Sequence, residues 1–107
     1  MSYQIYITHK AECDINEAAD YIEFTLMNPS AADNLLNKIE EEFNSLSFMP
    51  KQHQIIDDPF LSSHGIRMVV IDNYIAFYTV DESKKIVTII RFIYGRRNWI
   101  SILRQTL

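Results

Sequence analysis

One cysteine, two glycines, three prolines and no apolar run approaching the ~20 residues of a membrane span: the chain is marked first by what it does without. Cys13 alone cannot close an internal disulfide, and nothing in the sequence supplies it with a base, so it reads as structural. His9, His53 and His64 are scattered without ligand spacing, which predicts neither a metal site nor a cofactor. Gly65 and Gly95 are isolated and cannot build a phosphate-cradling loop. With 48% hydrophobic residues and so little glycine and proline, disorder and low complexity are excluded. The opening stretch MSYQIYITHKAECD lacks the basic start and long apolar core of a secretory signal, so a cytoplasmic location is expected. A length of 107 residues fits one domain, 1–107, with a real core.

What is present is unevenly distributed. The net charge is -4, yet residues 1–50 carry nine acids and two bases, and residues 51–83 five acids and two bases. From Lys84 onward there are six bases and no acid. Such polarity suits either a face for an anionic partner or an internal pairing of acidic helices with a basic sheet end. Glu40, Glu41 and Glu42 read as a solvated helix face.

Tyr3 to Thr8, YQIYIT, reads as a strand with Tyr3, Ile5 and Ile7 on one face. The period then changes. Asp14 followed by Glu17 signals a helix start, and Ile15, Ala18, Ala19, Ile22 and Leu26 follow at helical spacing. Asn28 and Pro29 open a second helix, whose stripe is Ala32, Leu35, Leu36, Ile39, Phe43 and Leu46, and Pro50 ends it. Two helices so tightly joined predict an antiparallel hairpin. Residues 51–64 read as a loop. Gly65–Ile71, Tyr74–Val80 and Ile86–Tyr94 read as strands, separated by Asp72-Asn73 and by DESKK. The last is apolar on both faces, the mark of a covered central strand. Asn98 to Leu103 closes the chain as a short helix. The order β-α-α-β-β-β-α predicts a two-layer α+β domain, a helix hairpin on an antiparallel sheet.

Two arginines sit inside apolar strands. Arg67 lies within GIRMVVI and Arg91 within IVTIIRFIY, and burying an unpaired guanidinium would cost several kcal/mol. Each must therefore pair with a carboxylate or face a wet groove. One arrangement is a structural ion pair with the acidic helices. The other is a groove holding both, with Arg96 and Arg97 at its rim and Tyr74, Tyr78, Tyr94 and Trp99 as its floor, suited to an acidic or aromatic peptide or to a phosphate backbone. Gly95, between Tyr94 and Arg96, is expected to turn the chain in a conformation other residues resist.

The first strand, AADYI (18–22), NPSAADNLLNKI (28–39), GIRMVV (65–70), NYIAFYTVDE (73–82) and RFIYGRRNW (91–99) together give a chain that resembles the RelE/ParE superfamily, the toxins of type II toxin–antitoxin (plasmid stabilisation) modules. The resemblance implies a helix hairpin on a sheet, a cognate antitoxin as partner and growth arrest as effect. It implies no membrane and no sequence-specific DNA binding by this chain alone. Within the superfamily, RelE-type ribosome-dependent mRNA nucleases use basic residues on the middle strands. Here Ile75, Ile66 and Met68 occupy those places. Arg97 matches their late arginine, but no Tyr or His follows it. The ParE branch, associated with DNA gyrase inhibition, is closer: Gly65-Ile66-Arg67, Tyr74 to Tyr78, and Arg91 through Gly95 to Arg97 fit its strands and ending. The resemblance thus implies an antitoxin- and target-binding surface of Arg67, Tyr74, Tyr78, Arg91, Tyr94, Arg96, Arg97 and Asn98. The alternatives are a nuclease with Arg67, Arg91, Tyr94 and Arg97 as its catalytic set, or a degenerate, non-toxic binding module.

Overall fold

The computed structural model describes residues 2–107. Extended β-rich sequence forms β1 (Gln4–Ile7), and Thr8 stops it by capping the next helix. The Thr8 hydroxyl accepts the Ala11 N–H at 3.1 Å and donates to the Ile90 carbonyl at 3.0 Å. Helix α1 therefore runs His9–Asp20, starting at His9 and not at the expected Asp14. Thr8 wins because an N-cap needs extended backbone, which the end of a strand supplies. Asp14 becomes an interior residue, and Cys13 lies within the helix with its Sγ 3.6 Å from His9 Nε2.

After Asp20 the helix widens into a π-helical turn, Tyr21–Thr25, and Met27 takes a left-handed φ of 53°. This reversal leads into α2 (Pro29–Phe48), where the Asn28 side chain accepts the Ala31 N–H as the sequence predicts. Ala32, Leu35, Ile39, Phe43 and Leu46 are buried, while Leu36 of the same stripe is exposed. The segment expected to be all loop contains one short helix, α3 (Pro59–Ser63), capped by Asp58. Pro59 at its first position and the Asp58 carboxylate on the Leu61 N–H, 3.1 Å, are enough to nucleate it.

Strands β2 (Arg67–Ile71), β3 (Tyr74–Asp81) and β4 (Ile86–Tyr94) form an antiparallel meander, and α4 (Trp99–Thr106) follows. The sheet order is β1-β4-β3-β2, with β1 parallel to β4. The helix hairpin covers one face, where Leu35, Phe43, Leu46, Tyr78 and Ile89 pack together. On the other face Leu61, Ile66, Ile75, Phe77, Ile93 and Leu103 make a second, smaller core under α3 and α4. That partial third layer explains why β4 is apolar on both sides. No helix among the described residues is long and apolar enough to cross a membrane.

Candidate functional site

The middle of the sheet uses its polar groups for architecture. Register along β3 and β4 shifts between Phe77 and Tyr78, so that Phe77 faces Arg91 and Tyr78 faces Ile89. Beyond Ile89, β1 has ended, and β4 has no neighbouring strand on that side. Asp14 of α1 takes the place of one. Its carboxylate accepts Arg91 Nε at 2.6 Å, a terminal guanidinium N–H at 3.0 Å and the Phe92 backbone N–H at 3.1 Å. Both side chains are mostly buried, 13% and 14% exposed. The Asp14 hydrogen bond, opposed by desolvation, pushes the Arg91 pKa upward. Arg91 also donates to Thr106 Oγ1 at 3.0 Å, which ties down the end of α4. Of the two arrangements open for Arg91, the structure holds the ion pair.

Among the described residues Arg67, half-buried, has no carboxylate partner. Its guanidinium donates to the His53 carbonyl at 2.6 Å. Tyr78, expected on a binding surface, is fully buried, and its hydroxyl donates to the Pro50 carbonyl at 2.9 Å. Burial pushes its pKa up to about 12. The sheet face that holds Tyr78 is the one under the helix hairpin, so it forms no groove floor. Tyr78 and Arg91 are thereby withdrawn from any contact surface. Arg67, Arg91, Tyr94 and Arg97 also fail to converge, since the cleft lined by Tyr94 and Arg97 does not include the other two.

The end of β4 behaves differently. Gly95 does not adopt the expected left-handed conformation, which Gly65 (φ +68°) does. Its reason for being glycine is proximity: its N–H donates to the Asn73 carbonyl at 2.8 Å, and a Cβ would sit 3.3 Å from that oxygen. Asn98 is spent on capping α4, its side chain accepting the Ser101 N–H at 3.4 Å. Trp99 packs against Phe77 with ring centroids 5.3 Å apart and belongs to the second core. Arg96 and Arg97 are exposed, and among the described residues neither guanidinium has a hydrogen-bond or ion-pair partner.

Arg97 stands at the mouth of a cleft of about 470 Å³ between α1 and the ends of β3 and β4. Tyr74 stacks on Phe92 at 5.0 Å with an interplanar angle of 13°, and meets Tyr94 edge-on at 5.6 Å. Tyr21 and Glu17 line the opposite wall. Burial, then the neighbouring Tyr94 and Tyr21, raises the Tyr74 pKa. The cleft thus offers aromatic faces, one unpaired cation and two carboxylates, Glu17 and the Arg91-bound Asp14. It can grip a side chain or small group. A second, larger groove of about 790 Å³ runs between β1, α1 and α2; Ile5, Ile15, Leu36 and Phe43 line it, with Glu12, Glu40 and Glu41 on its rim. No group of three or more metal-ligating side chains occurs among the described residues.

Sequence reasoning missed Asp14 as the partner of Arg91 and Tyr21 as a wall of the cleft. A signal for Asp14 exists. Ala11, Asp14 and Ala18 share one helix face at i, i+3 and i+7, so an acid lies on the inward stripe and demands a buried cation.

A family model described as the ParE toxin of the type II toxin–antitoxin system, parDE, matches residues 5–99. No curated protein matches the chain by sequence. Among solved structures, a chain of the chromosomal ParDE toxin–antitoxin system from P. aeruginosa superposes with a TM-score of 0.69 and 21% identity, over 87% of this chain and 96% of that one. A chain of the toxin–antitoxin complex RelBE2 from Mycobacterium tuberculosis gives 0.62 and 18%, over 88% and 99%. A mutant of the E. coli toxin RelE in the free state gives 0.67 and 12%, over the full length of both. At these identities the structural likenesses speak for the fold.

Proposed function

The chain belongs to the ParE toxin family of type II toxin–antitoxin systems, and from that premise we propose a cytoplasmic toxin that a cognate antitoxin neutralises and that inhibits DNA gyrase without cleaving nucleic acid. One observation carries the choice of target. Ile66, Met68 and Ile75, which stand where RelE-type nucleases carry basic side chains, lie in the apolar layer beneath α3 and α4. RNA cleavage needs a proton acceptor and charge stabilisation of the phosphorane-like state, and that layer supplies neither. The net charge of -4 also disfavours docking on ribosomal RNA. Exposed Arg96, Arg97 and Tyr94, with half-buried Tyr74, make up the recognition surface that remains once Tyr78 and Arg91 are withdrawn. The antitoxin covers the acid-rimmed groove beside β1, where apolar side chains and a free strand edge suit an added strand or helix.

The test is a pair of assays on purified protein. Supercoiling by gyrase is inhibited, and mRNA on translating ribosomes stays intact. Codon-positioned cleavage ends with unaffected supercoiling would instead establish the nuclease.

A further inference from the structure

The groove beside β1 is bounded on one side by a strand edge that has no neighbour, since β1 is the outermost strand of the sheet. The Gln4 N–H donates to the Lys85 carbonyl at 2.9 Å and the Thr8 N–H to the Ile89 carbonyl at 3.1 Å. The even-numbered residues of β1 therefore turn their backbone groups to β4, and those of Ile5 and Ile7 point away from the sheet. Both residues line the groove, and among the described residues their outward N–H and C=O groups meet no partner. Two positions before Ile5, the Tyr3 N–H donates to the Ser47 carbonyl of α2 at 2.7 Å, which closes that end of the edge. The apolar floor is likewise left open: Leu36 is 40% exposed and Ile7 36%, although Ile15, Ile39 and Phe43 beside them are buried.

We propose that this groove takes an extended segment of a partner protein that pairs with the backbone of Ile5 and Ile7, lays apolar side chains on Leu36 and Phe43, and sends basic side chains to Glu12, Glu40 and Glu41. Backbone chemistry selects the strand. A helix satisfies its own N–H and C=O groups and would cover those of Ile5 and Ile7 without bonding them, whereas a strand supplies both donor and acceptor. The rim selects the charge, because it is of one sign. Three carboxylates line the groove with no lysine, arginine or histidine among them, and none of the three is in an ion pair. The nearby cations are directed elsewhere. Lys10 and Lys38 each lie two residues from a rim glutamate, about 200° round the helix and so on its other flank. Lys38 is bonded to Asp72 at 2.7 Å, Lys85 sits over the Tyr3 ring, and His9 holds its Nε2 against the Cys13 sulfur. The inference rests on the reading of this groove as the one the antitoxin covers, and deepens it to a strand in place of a helix and a base in place of an acid.

The probe is a fluorescent heptapeptide in which arginine, valine, valine and arginine alternate with threonine. Added to the full chain, it is expected to shift the amide resonances of Ile5 and Ile7 and to bind more weakly as salt is raised. Replacing its arginines by glutamate is expected to weaken binding about tenfold or more. N-methylation at every second residue, made in both phases, is expected to abolish binding in one phase and spare it in the other, as pairing along a single edge requires. Glu40→Lys with Glu41→Lys puts like charges opposite the arginines and is expected to cost about tenfold in affinity, with an unchanged melting temperature because both side chains are exposed. Should that double variant melt early, Glu40→Lys alone carries the arm. No binding, equal binding of the glutamate peptide, indifference to N-methylation in both phases, or unaltered affinity in the variant would each overturn the proposal. Shifts at Ile5 and Ile7 produced only by a helical or acidic peptide would overturn it while leaving the groove a docking site, and shifts confined to the turn at Arg96 and Arg97 would remove both. None of these outcomes depends on the supercoiling assay.

Discussion

The middle of β4 and the turn that follows it use the same side chain in opposite ways. Arg91 is locked between Asp14, Thr106 and the apolar strands around it; six positions later, Arg97 is exposed and unpaired. The tyrosines divide in the same manner. Tyr78, mid-strand, is fully buried with its hydroxyl committed to Pro50, whereas Tyr94, at the strand end, is more than a third exposed. The position of a residue along the strand, more than its type, determines whether it serves the fold or remains free to bind. Polar groups at mid-sheet must be satisfied internally because water cannot reach them. At the strand ends they face solvent and carry no such obligation.

The largest expected effect comes from breaking the locked side. Asp14→Ala leaves the Arg91 guanidinium buried without its carboxylate and strips the Phe92 N–H of its acceptor, a loss of about 3–5 kcal/mol. Urea denaturation measures it, and a change under ~1 kcal/mol would mean that the pair is solvated and the division false. Trp99→Ala comes next. Its indole is half-buried against Phe77, so the cost lies near the lower end for a large aromatic, about 3 kcal/mol. Toxicity is expected to disappear with it, through unfolding.

Tyr78 gives a smaller effect with its own pH signature. Its pKa rises from 10.0 to about 12 on folding, mainly through burial. A phenol held neutral in this way contributes stability that is intact below pH 10 and lost as pH climbs through about 12. Tyr78→Phe is expected to cost about 1 kcal/mol at neutral pH for the lost hydrogen bond and to flatten that alkaline limb. An alkaline melting profile identical to that of the unsubstituted chain would remove Tyr78 from the locked set. The smallest stability effect belongs to the free side. Arg97→Ala should change stability by no more than ~0.5 kcal/mol while relieving growth arrest. A variant that stays fully toxic, or that melts as badly as Trp99→Ala, would erase the contrast.

This division also explains what could be read in the sequence. Elements set by local signals were legible: Asn28-Pro29 opens α2, its apolar stripe is the buried one apart from Leu36, and Ile86–Tyr94 is the covered central strand. The start of α1 was not, because Asp14-x-x-Glu17 mimics a capping box while the capping hydroxyl, Thr8, is hidden in the tail of a strand pattern. The Arg91–Asp14 pair spans 77 positions, and the sequence could show only that each strand arginine must meet a carboxylate or a wet groove. The sequence marked Tyr78 as a strand residue but did not say which sheet face would be covered. The cleft depends on the π-helical turn that brings Tyr21 round to Tyr74 and Tyr94, and no composition signal marks that extra residue per turn.

The pairing of β1 along β4 has a consequence in time. Gln4 to Ile7 align with Ile86 to Ile89, and the Thr8 hydroxyl is held by the Ile90 carbonyl, 82 positions away. A ribosome adding ~5–20 residues per second needs about 4–16 s to cover that distance. Through that interval β1 has no strand to lie against, and the Asp14 carboxylate waits for Arg91 and Phe92. Closing so long a loop comes late and slowly in folding, since its entropy must be met before the contacts form. The recognition turn at Arg96 and Arg97 is synthesised after all of this. The surface proposed to do harm therefore cannot be assembled before β4 and the turn after it have been made, and the sheet stays incomplete until then.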